Sequence, residues 1–511
     1  MLQPYLYPAP MRRVPLLSGS RIVHVPVRND DVVLAPPPPP TRVVDVAAAV
    51  RDALAFPLSG QPLGNLVQRV ARVTIVVEPP ALPVPGAQVD PRPLALATVL
   101  EELERLGVPD EDVTILVAGG LARRAGRPEL ERLLPPPDAR AFRGHVLVHD
   151  AAAPDLVPLS DTARINPAIV ETDLVLVVSS AETVVHGGPG ALLAACDAAT
   201  VRAAAVARSL VQASREPVWE RLLAVEAAVS ARVGLLGLSL VLDHPRLAGR
   251  FRDYPHEPAA LQHVTRSPFR RLYSLLPAAV RRGILRDQSR ILTASAAFAG
   301  PPSIAHVEAL VRTIELRGTR VDGPLDALVV GVPWIGPHMP REPLNPLTSA
   351  AIALGHALRH WRDAFPVRED GTLVLLHSLT RSFAHTQAPY RVLFDELAGG
   401  GSLEAAEHAA ASDSRAVEAY RAGHACHPLL PYADWAGCQP ALSRLGRVIV
   451  AGSRDAVAAR ALGFVPSHSV ASALDMAHGV AGGGARVGIL LAPPYPPLLV
   501  GQGEPSVPAA G

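Results

Sequence analysis

The sequence predicts an α/β protein of two lobes, each a largely parallel sheet flanked by helices, with a cleft between the lobes. Three observations predict it. Short β-branched runs such as Val73-Thr-Ile-Val-Val77 and Val113-Thr-Ile-Leu-Val117 read as strands buried on both faces. Helical stretches alternate with these runs, the pattern of strand–helix–parallel strand units. The chain has 511 residues, too many for one core, so two or three domains are expected.

The totals narrow the function classes. Hydrophobic residues make up 49% of the chain and the net charge is +1. Large cores are therefore available, and there is no electrostatic case for nucleic acid. All 48 basic residues are arginine, so no step can use a lysine amine as Schiff base, covalent anchor or general acid. Cys196, Cys426 and Cys438 suggest no disulfide framework, and a reducing cytoplasm is expected. No apolar run approaches the roughly 20 residues of a membrane span, and Pro4, Pro8 and Pro10 interrupt the N-terminus, where no secretory segment is expected.

Taken in order, residues 1–20 read as a flexible tail and Arg21–Val27 as a strand. Pro36–Pro40 is a polyproline spacer, and Val43–Leu54 an amphipathic helix. Val73–Val77 opens the central unit. A helix from Pro93 to Leu106 follows, with Leu96, Val99, Leu100 and Leu103 on one face and Gly107 as its stop. Val113–Val117 is the next strand, and a helix lies near Pro128–Leu134. Gly144–Asp150 and Glu171–Val178 are further strands. The second ends in a glycine-rich loop, Val184-Val-His-Gly-Gly-Pro-Gly190, before a helix at Ala191–Ala207. Such a loop can cradle an anion on its N–H groups or be a tight turn. Val218–Ala231 reads as a helix and Leu238–Asp243 as a strand.

Residues 244–290, rich in arginine and aromatics, read as a helical insertion. A lid and an oligomer contact both stay open for it. Basic residues beside Phe251, Tyr254, Phe269 and Tyr273 could meet an anion, though a solvated helical face is the plainer reading. The sheet resumes at Ile291–Phe298, and Ile304–Arg317 is a helix. Residues 21–305 thus form the first domain and 306–495 the second. The second has strands at Leu325–Val332, Gly371–His377, Arg447–Gly452 and Arg486–Leu491, and helices at Thr348–Trp361, Ser402–Ala422 and Val470–His478. Residues 496–511 read as a flexible tail.

Ligands in such sheets sit beyond the carboxyl ends of the strands, so the loops after Val77 and Val117 are the first candidates. Glu78 and Arg123 lie in or just after them, and His186 lies in the glycine-rich loop. His338 follows a strand end of the second lobe, and His377, His385 and Tyr390 follow another. His424, Cys426, His427 and Cys438 are of zinc-ligand type, but their spacing is not a standard structural zinc pattern. No P-loop, nucleophile elbow or complete dinucleotide fingerprint is present.

Several stretches, in one order, resemble the nickel-dependent lactate racemase family. They are Ala53–Leu63, Gly107-Val-Pro-Asp-Glu-Asp-Val-Thr-Ile-Leu116, His149-Asp150, Ile165-Asn166, Glu171-Thr-Asp-Leu174, Phe298-Ala-Gly-Pro301, Asp434-Trp435 with Gln439, Arg447–Val450 and Gly463–Pro466. The resemblance spans roughly Ile22 to Leu491, with 244–290 inserted. It implies two α/β lobes with a nickel-pincer nucleotide in the cleft, hydride exchange with a 2-hydroxy acid, and two histidines alternating as acid and base. The motifs depart from that pattern. The family's Asp-x-Thr-Arg-Pro becomes Glu78-Pro-Pro-Ala-Leu-Pro83. The first catalytic histidine falls on Ala122, the second on Val184 and the cofactor-anchoring lysine near Ala194. A two-residue slip would instead place His186 on the histidine and Cys196 on the lysine.

Two functions of different class follow. The first is a racemase or epimerase of a small 2-hydroxy acid, with a nickel-pincer nucleotide held without covalent attachment. For it, the resemblance and the loops nominate Glu78, His186 and His338 as catalytic residues and His186 as metal ligand. Gly187, Gly188, Gly190, Arg123, Arg208 and Trp435 would bind the cofactor. The second is a lapsed paralogue keeping the cleft as a small-molecule-binding or scaffold module. Either way the expected partner is a small carboxylate, with a homo-oligomer open.

Overall fold

The computed structural model describes residues 13–40, 43–67, 72–79, 90–134, 142–214, 216–247, 251–266, 268–286, 290–333, 344–482, 484–493 and 495–501. Two six-stranded sheets organise it. The first runs Ala294–Gly300, Gly234–Leu242, Leu174–Ser180, Val73–Val77, Val113–Val117, His145–Val148, all parallel except the first strand. The second runs Val465–Ser467, Arg447–Ala451, Val367–Leu376, Leu325–Gly331, Val487–Leu490, Val32–Leu34, parallel throughout. Both faces of each sheet are covered. Val73, Ile75 and Val77 point into one core of the first lobe, and Val76 with Val175 and Val177 into the other. That is why these strands read as continuous apolar runs rather than as alternating ones.

Helix ends follow local chemistry. Asp90 caps Pro91–Arg105 by accepting from the Arg92 N–H, with Pro91 at the first helical position. Gly107, at φ +94°, takes the left-handed turn after that helix. The helix expected over Ala191–Ala207 is two short ones, Pro189–Leu193 and Ala198–Ala203. The break falls at Asp197, whose carboxylate accepts from the Thr200 N–H and starts the second helix.

Three sequence expectations about the ends and boundaries are corrected. Arg13–Ser18, assigned to a tail, is a strand paired with Arg21–Pro26, and Val14 and Leu16 are buried against the second sheet. Leu498–Val500, also assigned to a tail, pairs in parallel between Thr319–Val321 and Trp361–Arg362. Both segments are short, and only their distant partners reveal them. The boundary near 305 cuts the helix Pro302–Arg317, which packs on the first sheet, while Val32–Leu34 lends the second sheet an edge strand.

The insertion folds as helices Pro258–Arg266, Pro268–Leu275 and Ala278–Arg286. Phe251, Tyr254 and Tyr273 are buried with Val14, Leu16 and Val25. The Tyr254 and Tyr273 hydroxyls donate to the carbonyls of Pro15 and Ser20. These three aromatics clamp the N-terminal hairpin onto the second lobe, so they are core, not ligand platform. The Phe269 side chain lies outside the described residues.

Candidate functional site in the cleft

The cleft lies beyond the carboxyl ends of the first sheet's central strands and encloses about 310 Å³. Its first-lobe wall comes from Glu78 and Pro79 after Val77, from Ala118–Arg123 after Val117, and from Val185 and His186 after Ser180. The opposite wall comes from Thr348, Ala351, Ile352, Gly355, His356 and Arg359, with Gln387 and Asp434. A single helix was expected over Thr348–Trp361. Instead an α-turn passes into π winding at Ala351–His356 and a 3-10 turn at Ala357–Arg359. Residues 351, 355 and 359, spaced four apart, share the cleft face. Single-turn π segments are frequent at functional sites.

Glu78 is half-buried and accepts a hydrogen bond from the Gly187 N–H. Loss of hydration outweighs that bond and the nearby Arg92 charge, and raises its carboxyl to about 7. Glu78 and His186 also share a smaller adjoining cavity with Arg92 and Glu182. The Thr183 hydroxyl lies 2.8 Å from His186 Nδ1 and accepts from the His186 amide. A hydroxyl proton donated to Nδ1 selects the tautomer with its N–H on Nε2. Arg123 lines the cleft and donates to Glu129 at 3.1 Å. Arg359, 5% exposed, is lowered by burial to about 10 and stays charged at neutral pH.

The glycine loop is a packing device. A Cβ at Gly187 would come within 2.3 Å of the Ser180 carbonyl, and one at Gly188 within 2.4 Å of His306 Cβ. Both have positive φ. The Gly188 N–H donates to the Ser179 hydroxyl and the Gly190 N–H to the Gly187 carbonyl. With the Gly187 N–H on Glu78, these three amides are consumed within the protein. Gly190 alone of the three glycines lines the cleft.

Other nominated residues stand elsewhere. Arg208 is exposed beside Glu216 and does not line the cleft. Trp435 packs half-buried against the second-lobe core, although Asp434 and Gly437 of its helix line the cleft. His338 lies outside the described residues. His377 is buried against Ser349, 3.1 Å from its hydroxyl, and His385 is exposed. Tyr390 donates to Asp434 at 2.6 Å and so holds a cleft carboxylate. His424 is exposed while Cys426 and His427 are buried, and among the described residues no group of three ligating side chains could hold a metal. Arg359, His356, Gln387 and Asp434 were not singled out as site residues from the sequence. No motif marks them, and the irregular winding over Ala351–Arg359 that carries the first two has no sequence signature.

The lobes are stitched across the cleft floor. Tyr420 of the second lobe donates to the Gly120 carbonyl and accepts from the Ala151 N–H, each at 3.0 Å. The His427 N–H donates to the Leu121 carbonyl, and Arg421 meets Asp150 at 3.2 Å.

The fold and cleft define a two-lobe α/β protein with a ligand-sized site between the lobes. Residues 18–187 match the lactate racemase N-terminal domain. The structure is similar to the lactate racemase apoprotein of Thermoanaerobacterium thermosaccharolyticum, at TM-score 0.59 and 13% identity, over 96% of this chain and 100% of that one. It is also similar to a structural-genomics protein from Thermotoga maritima, at TM-score 0.50 and 12% identity, over 90% and 100%. No curated protein matches the chain. Residues 18–187 thus carry the family match, and over the rest of the chain the similarity is one of fold.

The residues present do not fit a nickel-pincer nucleotide anchored as the resemblance implies. Ala122 and Ala194 put methyl groups on the cleft wall where a histidine and a lysine are needed. Val184 is fully buried. Cys196, which the slipped alignment would put at the anchor, is buried with its thiol against the Leu192 carbonyl. One imidazole of the first lobe, His186, reaches the cleft.

Proposed function

We propose that this protein binds a small organic carboxylate in the inter-lobe cleft and has parted from nickel-pincer chemistry. One observation carries the reading: Glu78, His186, Arg123, Arg132 and Arg359 converge on a single cavity of about 310 Å³, a volume at the small end of ligand sites. Arginine suits a carboxylate because its planar fork presents paired donors. Glu78, poised near neutrality, can hold or release a proton. His186 supplies a second proton-carrying group.

A second reading is favoured by the juxtaposition of Glu78 and His186. In it, the cleft isomerises a 2-hydroxy acid, one group taking a proton from the substrate and the other returning one. Gly187 would orient the carboxylate and Thr183 the imidazole, while the arginines hold the acid.

The test uses the full-length protein purified from cells that also make the pincer cofactor. Metal analysis and native mass spectrometry should show no stoichiometric nickel and no cofactor mass, while calorimetry with lactate and malate shows saturable binding. A folded protein that binds neither acid would overturn the first reading. Optical inversion of lactate, lost in both Glu78→Gln and His186→Ala, would establish the second; no inversion would reject it. Stoichiometric nickel with bound cofactor would restore pincer chemistry.

A further inference from the structure

Arg359 and Arg317 are both buried, and the fold treats them differently. Arg317, 2% exposed, is paired with Glu182 at 2.7 Å. Arg359 meets no carboxylate within 4 Å among the described residues. Its nitrogens make one hydrogen bond, from Nη1 to the Gly355 carbonyl at 3.2 Å, and its Nε has no partner. The nearest acidic groups are occupied elsewhere. Glu216 accepts from the Arg208 and Ser209 amides, and Asp434 from the Tyr390 hydroxyl. Arg281, also buried, is held by the carbonyls of Ser274 and Leu276. Arg359 has half that support and faces the cavity.

The space around the guanidinium is kept open. A Cβ on Gly437 would lie 2.6 Å from Arg359 Nη1, so an alanine there would collide with the head group. A buried, unpaired cation is costly to a fold. A bound anion would supply the missing charge.

We propose that Arg359 is the receptor for the carboxylate of the cleft ligand. This rests on the reading of the cleft as a small-carboxylate site and names the group that makes it one. The planar guanidinium donates paired N–H groups to the two oxygens of a carboxylate. Thr348 and His356 line the cavity on the same segment, and can distinguish the substituent beside the carboxylate. Phosphate would satisfy the same fork, and the experiment separates the two.

Wild type, Arg359→Met and Arg359→Lys are titrated with lactate, malate and inorganic phosphate at constant ionic strength, by calorimetry and thermal unfolding. Wild type should bind a carboxylate, at least about tenfold more weakly in Arg359→Met. Without ligand, Arg359→Met should unfold at the wild-type temperature or above, because an unpaired buried charge has gone; a purely structural arginine would give a lower temperature. Should Arg359→Met not fold, Arg359→Lys keeps the test, with affinity expected to fall several-fold. Unchanged carboxylate affinity in the folded variants overturns the role of Arg359 and leaves the cleft reading standing. Wild type that binds no carboxylate overturns both. Binding of phosphate alone overturns the carboxylate assignment.

Discussion

Arg317 Nη1 donates to Glu182 Oε2 at 2.7 Å, with the two side chains 3% and 5% exposed. This pair ties the last turn of Pro302–Arg317 to the loop that carries His186. Through this pair Glu182 anchors the site loop. Removing one member leaves the other charge buried and unpaired. Arg317→Met should therefore cost about 3–5 kcal/mol in chemical denaturation, and Glu182→Gln, which keeps one polar contact, somewhat less. The double variant Glu182→Leu/Arg317→Met should recover much of the loss. A loss in Arg317→Met below roughly 1 kcal/mol would show the pair to be unimportant to the fold.

Glu78 makes stability depend on pH in the sense opposite to most carboxylates. Its folded value, about 7, lies above its ordinary value of 4.5. Between these values the unfolded chain releases the proton and the folded protein keeps it, so stability falls as pH rises from about 4.5 to 7. Glu78→Gln removes that loss and can still accept from Gly187. It should gain on the order of 1–3 kcal/mol at pH 8 relative to wild type and nothing at pH 4. A gain independent of pH would refute a raised carboxyl.

Buried histidines act the other way at lower pH. Burial lowers His149, His306, His360, His377 and His427 to about 4, and His244 well below its ordinary value of 6.5. From pH 6.5 down to 4 the unfolded chain gains protons that the folded protein refuses. Stability should drop steeply over that window, at roughly 1.4 kcal/mol per pH unit for each proton taken up. Unfolding near pH 5 should take up several protons by potentiometric titration. Uptake of one or none would mean that the imidazoles are charged in the fold.

Gly437 offers a test of the cleft that leaves Arg359 in place. Gly437→Ala puts a methyl 2.6 Å from the guanidinium. The head group is the end of a long side chain and can swing aside, so stability should change by less than about 1 kcal/mol. Carboxylate affinity should fall about tenfold by calorimetry. Unchanged affinity would show that the guanidinium does not set it.

Most of the scaffold was legible. Val73–Val77, Val113–Val117 and Arg447–Ala451 were readable because burial on both faces demands unbroken apolar runs. The loops after Val77 and Val117 were readable as site candidates because parallel sheets place ligands at one end. Arg13–Ser18 and Leu498–Val500 were not. They are short strands whose partners are remote in sequence, the hairpin lying on the second lobe and the C-terminal strand beside Trp361. Of the nominated residues, Glu78, Arg123 and His186 line the cleft, whereas the amides of Gly187 and Gly188 serve Glu78 and Ser179.

The sequence by itself determined the parallel sheets and the absence of any lysine side chain, because these depend on which side chains exist and on local periodicity. Only the tertiary structure decided which polar groups meet. Arg359 and Arg317 are both arginines near a helix end. The difference between them is a carboxylate 2.7 Å from one and an open cavity beside the other, and that distance is set by a helix and a loop 135 residues apart.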